Sequence, residues 1–292
     1  MAGRRVKRAS TKTRAGARPI SLKKKLALLE QLLRDMGRVA IGFSGGVDSA
    51  FLAATALRVL GPGNVLAVAA DSMLQPRAEM SGAAALARSI GLRFRALRVP
   101  VEARHEILRN QPDRCYHCKR AFFLAIRRLA RSRGMAHVLD GSNADDALDV
   151  RPGERALREL GVLSPLRDAG LRKQDIRSAA RRMGLPVADK PAAACLASRI
   201  PYGTRLTRDR LAAVERSESA VAALGFQGAR VRAHGDVARI ELAARDLARA
   251  LSRRARAALS REIHKSGFSY VALDLDGYRT GSLNATAKRR RA

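Results

Sequence analysis

Ser44-Gly45-Gly46-Val47-Asp48-Ser49 stands between a short apolar run and a stretch of helical character, and its residue types suit an anion. Two glycines let a ligand approach the backbone closely, and the N–H groups at a helix start face a negative charge with the dipole behind them. The loop lacks the lysine of a Walker A sequence, so it is not the loop that serves γ-phosphate transfer. Asp48 adds a hard oxygen ligand that would hold Mg²⁺ or orient phosphate. A glycine-rich turn with no ligand is the alternative.

The second group of reactive residues is Cys115, Cys118 and Cys195. Cys115-Tyr116-His117-Cys118 opens a helix, where the dipole and the neighbouring Lys119 and Arg120 are expected to lower a thiol pKa. Three thiolates with one open position suit a four-iron, four-sulfur cluster whose fourth iron carries an extra sulfide. Packed free thiols and a zinc site completed by His117 are the competing readings, although structural zinc wants four ligands. A joint site requires the loop carrying Cys195 to fold back over the strand ends beside Cys115 and Cys118.

The elements that must position these residues alternate. Leucines recur at helical spacing from Leu22 to Met36, and Val39–Phe43 reads as a buried strand. A helix over 51–60, a strand over 65–70, a helix over 79–90 and a strand over 92–99 follow, then a helix over 122–133 and a strand over 137–140. Such βαβ alternation predicts an α/β fold with a parallel sheet, ligands binding beyond the carboxyl ends of its strands. Residues 141–163 read as a loop rich in Asp, Gly and Arg, in which Asp145 and Asp146 would serve Mg²⁺ or, for Asp145, cap a turn. Asp71 ends the second strand near where adenine or ribose contacts are expected, or is a plain strand-end turn carboxylate. A helix over 173–183 closes this part at Gly184-Leu185-Pro186. Beyond it a helix over 208–224, strands over 229–233 and 237–242, a basic helix and a strand over 270–275 predict a smaller α+β domain. The boundaries are a disordered basic arm over 1–20, domains over 21–186 and 187–284, and a basic tail over 285–292. His105, His137 and His264 carry no assigned role, and no internal repeat is visible.

Composition removes several function classes. At 292 residues and 47% hydrophobic the chain can bury a sizeable core, and no apolar run is long enough to cross a bilayer. Three cysteines are too few and too odd in number for a disulfide scaffold, and no secretory signal is apparent, so a reducing, cytoplasmic setting is expected. The formal charge of +31 would suit a polyanion. Ten basic residues lie within residues 1–25 and four in Lys288-Arg289-Arg290-Arg291, and the remainder is Arg scattered along every helix rather than a patch. With 4% aromatic residues and no Trp, a base-stacking surface is poorly supplied, so a nucleic-acid partner is not expected.

At Cys195 a resemblance enters. Pro191-Ala192-Ala193-Ala194-Cys195-Leu196-Ala197-Ser198-Arg199-Ile200-Pro201-Tyr202-Gly203 is similar to the signature of the LarE family, the ATP-dependent sulfur transferases that make the nickel-pincer nucleotide cofactor of lactate racemase. The SGGVDS loop itself resembles that of the PP-loop ATP pyrophosphatases (adenine nucleotide alpha hydrolase-like), which split ATP between the α and β phosphates and leave an adenylated substrate. The resemblance extends through Arg114-Cys115-Tyr116-His117-Cys118-Lys119, residues 140–146, Arg151-Pro152-Gly153, residues 230–234 and residues 273–284. Only the basic arm and tail lie outside it. Two departures are Gly141-Ser142-Asn143 where Gly-Thr-Asn is more usual, and Ala192-Ala193 where bulkier residues are common.

The resemblance implies ATP and Mg²⁺ at Ser44, Gly45, Gly46, Asp48, Ser49, Asp71, Gly141, Asn143 and Asp145. It implies pyridinium-3,5-biscarboxylic acid mononucleotide as substrate, held by Arg199, Arg230 and Arg232, with Glu218 and Glu241 at Mg²⁺. Arg230 and Arg232 alternate on a strand, so both could clamp the mononucleotide phosphate bidentately, or could be solvated arginines of an Arg-rich chain. The substrate carboxylate is adenylated, then attacked by sulfur and released as a thiocarboxylate with AMP. In the family's one-cysteine branch that cysteine, here Cys195, gives up its own sulfur and becomes dehydroalanine. In the three-cysteine branch the cysteines ligate a 4Fe-4S cluster that accepts and passes on sulfide; this chain has all three. A sulfide donor and a homo-oligomer such as a hexamer are implied partners. A PP-loop tRNA thiolation enzyme shares the loop and cysteines but not the Cys195 signature, and a non-catalytic nucleic-acid binder would not need the loop.

Overall fold

In the computed structural model, residues 20–148, 152–191 and 193–279 are described. The expected arm and tail lie outside them, Ile20 excepted. Strands β1 (Val39–Gly42), β2 (Val65–Asp71), β3 (Arg93–Arg98) and β4 (His137–Leu139) form a parallel sheet in the order β3-β2-β1-β4. Successive side chains of a strand point to opposite faces. Val39, Ile41, Val65 and Ala67 therefore enter one apolar core with Leu29 and Leu33 of helix α1 (Leu22–Met36) and Phe51 and Leu52 of α2 (Val47–Leu60). Ala40, Leu66, Val68 and Val138 enter another with Phe123 and Ile126.

Helix α3 (Arg77–Ser89) links β2 to β3, and the long helix α4 (Arg114–Ser132) covers the second face. The expected helix over 122–133 thus starts eight residues earlier and carries both Cys115 and Cys118. The expected loop over 141–163 is corrected. It holds a 3₁₀ turn, Ala144–Leu148, and a helix, α5 (Pro152–Glu159), because Ala156, Leu157 and Leu160 give that segment an apolar stripe that packs against α4 and the sheet.

Helix α6 (Lys173–Arg182) follows, and α7 (Arg208–Ala223) and α8 (Arg253–Lys265) cover a second sheet. In that sheet β5 (Arg230–His234) pairs antiparallel with β6 (Val237–Glu241), which pairs parallel with β7 (Tyr270–Leu273). The core beneath it joins both halves of the chain. Leu74, Val99, Ile107 and Leu108 pack with Leu196, Ile200, Leu206, Val214, Val231 and Ile240. Backbone hydrogen bonds cross the same seam: Leu196 N–H donates to Leu74 O at 2.8 Å, and Leu206 N–H to Leu108 O at 2.8 Å.

Candidate active site

Gly45 has φ +70°, a left-handed conformation, and a Cβ there would stand 2.9 Å from that of Ala83. The loop holds itself shut: Ser44 N–H donates to Ser49 Oγ (3.2 Å), Gly46 N–H to Ser44 Oγ (3.3 Å), and Ser49 Oγ–H to Gly46 O (3.1 Å). Gly46 precedes α2 and has no side chain, so no side chain caps the first turn of that helix. Beside it Gly141 has no room for a Cβ, which would lie 3.1 Å from Ser49 N, so the end of β4 lies against the start of α2.

A cavity of about 490 Å³ opens here beyond the carboxyl ends of the strands. Ser44, Asp48, Ser49 and Gly141 line it, and so do Asp146, Glu154 and Cys118. The mouth of the anion loop and one of the three cysteines therefore share a single space.

Asp48 pairs through Oδ2 with Lys173 Nζ at the start of α6. Its Oδ1 is shut away from solvent with no hydrogen-bond partner among the described residues. Burial pushes the Asp48 carboxyl up from the ordinary carboxylate range, against the pull of Lys173. A buried carboxylate oxygen without a donor is the ligand that a hard cation takes, so these residues fit Mg²⁺. Asp145 and Asn143 are occupied locally: Asp145 Oδ2 accepts from Lys173 N–H (2.8 Å), and Asn143 Oδ1 from Asp145 N–H (2.9 Å). Asp146, not Asp145, faces the cavity, and its Oδ2 accepts from Asn143 N–H at 3.0 Å. Asp71 is turned to Arg77 (2.9 Å) and is absent from the lining.

The seam hydrogen bond at Leu196 brings Cys195 to the end of β2, above the first turn of α4. Burial first, and then the neighbouring Cys195 and Cys115 sulfurs, push the Cys118 thiol up to about 12. The expected lowering of thiol pKa by the helix start therefore fails at Cys118, because removal from water outweighs the dipole and Arg114. His117 turns to Asp113, Nε2 to Oδ2 3.2 Å, and among the described residues no three His, Cys, Asp or Glu side chains are grouped tightly enough for one metal ion. The zinc reading through His117 loses its fourth ligand on that geometry. Three thiols close enough to act on one another are the donor set that an iron–sulfur cluster takes, one thiol to an iron.

Arg199 and Glu218 form a fork-to-fork pair, Nε–Oε1 2.9 Å and Nη2–Oε2 3.0 Å, and Arg199 Nη1 also donates to Ala194 O and Cys195 O. Arg232 pairs the same way with Glu241, which is 1% exposed, and donates to Ser198 O at 2.9 Å. The carboxylates expected at Mg²⁺ are thus engaged by arginines, and Arg199 and Arg232 hold the backbone next to Cys195. Arg230 is half-buried, donates among the described residues to Gly228 O and Ala229 O, and lies 5.4 Å from the Tyr278 ring. Its Nε and Nη2 make no hydrogen bond among the described residues, which leaves donors for a ligand. Sequence reading passed over Lys173, Glu154 and Arg114. Lys173 and Glu154 stand at helix starts, and nothing local marked their approach to the loop.

A family model described as NAD synthase matches residues 22–137. The chain is 39% identical over 266 residues, 91% of its length and 96% of the relative's, to the pyridinium-3,5-bisthiocarboxylic acid mononucleotide synthase of Lactiplantibacillus plantarum. It is 37% identical over 90% of its length to an uncharacterized protein of Synechocystis sp., 98% of which is covered. A 68-residue stretch is 43% identical to the glutamine-dependent NAD(+) synthetase of Rhodobacter capsulatus, covering 23% of this chain and 12% of that one.

Proposed function

The chain belongs to the LarE family of pyridinium-3,5-bisthiocarboxylic acid mononucleotide synthases, ATP-dependent sulfur transferases built on a PP-loop domain, and on that premise we propose how its residues divide the reaction. The observation that carries the reading is the shared cavity, in which the SGGVDS loop and Cys118 face one space. ATP lies there with its β and γ phosphates at Ser44–Ser49. Asp48 Oδ1 and Asp146 would hold Mg²⁺, and Lys173 would neutralise charge as pyrophosphate departs. A carboxylate oxygen of the pyridinium-3,5-biscarboxylic acid mononucleotide attacks the α-phosphorus; the bond to pyrophosphate breaks, and an acyl adenylate remains. Sulfur then attacks the acyl carbon and AMP leaves, giving the thiocarboxylate. Arg230 binds the mononucleotide phosphate, while Arg199 and Arg232 fix the Cys195 loop above it.

Cys115, Cys118 and Cys195 would hold a 4Fe-4S cluster, which when bound would take up a sulfide from a sulfide donor, so that the chain could turn over repeatedly. Sacrifice of the Cys195 sulfur is the competing route, and it leaves the other two thiols without a task. The product serves a nickel-pincer cofactor of the lactate racemase type. A homo-oligomer acting in the cytoplasm agrees with this reading, and no described helix is long and apolar enough to cross a membrane. Residues 21–186 act as the ATP unit and 187–284 as the sulfur and substrate unit.

The test is product analysis with ATP, Mg²⁺ and the dicarboxylated mononucleotide. AMP and pyrophosphate, formed one for one with each carboxylate thiolated, support the assignment. ADP and phosphate defeat it.

A further inference from the structure

Arg114 opens α4 directly before Cys115, and it is 3% exposed. Arginines are almost never this buried unless a negative partner accompanies them. Among the described residues no carboxylate pairs with Arg114. Its guanidinium instead donates through Nη1 to the Asn110 side-chain oxygen and to Ala197 O (3.1 Å), and its Nη2 stands 3.9 Å from Cys115 Sγ. Ala197 lies two residues beyond Cys195, in the turn Leu196–Arg199. Asn110 has φ +53°, an uncommon backbone for a non-glycine residue, and its amide donates to Ile200 O (3.3 Å) and Pro201 O (2.9 Å) of the same segment. The Tyr202 ring lies 5.7 Å from the guanidinium. One buried cation thus touches the cysteine helix on one side and the Cys195 segment on the other.

We propose that Arg114 is a positioning residue of the sulfur-transfer site, its guanidinium clamping the Cys195 segment onto the Cys115–Cys118 helix and supplying the positive charge that a sulfur-bound negative charge faces there. The inference rests on the reading of the three cysteines as one site. A carboxylate in place of the sulfur would cancel the cation; a sulfur-held anion leaves it as the compensating charge. Hydrogen bonds to ligand sulfurs and nearby net charge both set the potential of an iron–sulfur group, which makes the role measurable apart from turnover.

The experiment uses the full chain, prepared without oxygen, as wild type, Arg114→Gln and Arg114→Lys. Gln keeps a donor and removes the charge; Lys keeps the charge and removes the planar fork. In iron-loaded protein, Arg114→Gln is expected to shift the midpoint potential to more negative values by at least a tenfold change in the redox equilibrium, about 59 mV for one electron, with Arg114→Lys near wild type. The kcat for thiolation should fall at least tenfold in Arg114→Gln with KM for ATP unchanged. In iron-free protein the thiol cross-linker dibromobimane should join Cys195 to Cys115 or Cys118 readily in wild type and at least fivefold more slowly in both variants.

An unchanged potential with unchanged cross-linking overturns the inference, as does an equal loss of potential in Gln and Lys, which would mark a hydrogen-bonding brace with no electrostatic part. If wild type takes up no iron, the cluster reading fails by itself, and the cross-linking and the split between kcat and KM decide Arg114. If Arg114→Gln does not fold, Arg114→Met carries the same test, and slow cross-linking in Arg114→Lys still supports the clamp.

Discussion

The two ends of this site are built by different means. At the nucleotide end the work is done by backbone: a left-handed Gly45, an uncapped helix start at Gly46 and a close approach at Gly141, all within hydrogen-bond reach of one hexapeptide. At the sulfur end it is done by buried ion pairs and by contacts between residues far apart in sequence. Arg199 reaches Glu218, Arg232 reaches Glu241, and Arg114 crosses 83 positions to Ala197. The first construction needs only the α/β sheet, which brings Ala83 of α3 and Gly141 after β4 against the loop. The two ion pairs form within the second half of the chain, but the Arg114 contact exists only when both halves have folded against each other, across the shared core that runs from Leu74 and Val99 to Val231 and Ile240.

If the two ends are separable, a change at one should leave the other intact. Cys195→Ser should bring thiocarboxylate formation to background while pyrophosphate release from ATP stays within about twofold of wild type over a single turnover; loss of both would show that the ends work as one unit. Asp48→Asn should stop the reaction at adenylation, and thiocarboxylate formation with it, while leaving the sulfur end built. Removing a metal-ligand oxygen worth several kcal/mol should slow adenylation by about 10²–10⁴-fold, while the anaerobic iron content stays that of wild type.

Stability should separate structural from ligand-binding arginines within the sulfur end. Glu241→Ala takes away the carboxylate that meets the buried Arg232 guanidinium fork to fork, for which about 3–5 kcal/mol of destabilisation is expected, read as a fall in the denaturation midpoint. Arg230→Ala should cost little stability and should raise KM for the mononucleotide by the worth of one charged hydrogen bond, about 1.5–3 kcal/mol, with KM for ATP unmoved. A large stability loss in Arg230→Ala would place that residue among the structural arginines.

The nucleotide end was legible in the sequence because its information is local. Glycine type, helix start and the strand before it all fall within a dozen residues, so position in the chain and position in space coincide. Helix α5 was not, because Asp-, Gly- and Arg-rich surroundings masked the short apolar stripe of Ala156, Leu157 and Leu160. Lys173 lies 125 positions from Asp48, and nothing in either neighbourhood announces the pairing. The same holds for Glu218, whose engagement by Arg199 depends on the folding of the 3₁₀ turn Leu196–Arg199 onto α7 and β5, whereas Glu241 meets Arg232 across the β5–β6 hairpin. The Cys118 pKa ran against the helix-dipole argument because burial arises from α4 packing under the Cys195 segment, which no reading of Cys115–Cys118 alone contains.

The most direct test of the three-cysteine site is the intact mass of the chain after several turnovers, measured beside the number of sulfur atoms delivered per chain. Sulfur carried by three cysteines together predicts more than one thiocarboxylate per chain and an unchanged mass at Cys195. A chain lighter by H₂S at Cys195, with transfer halted at one sulfur per chain, would contradict it.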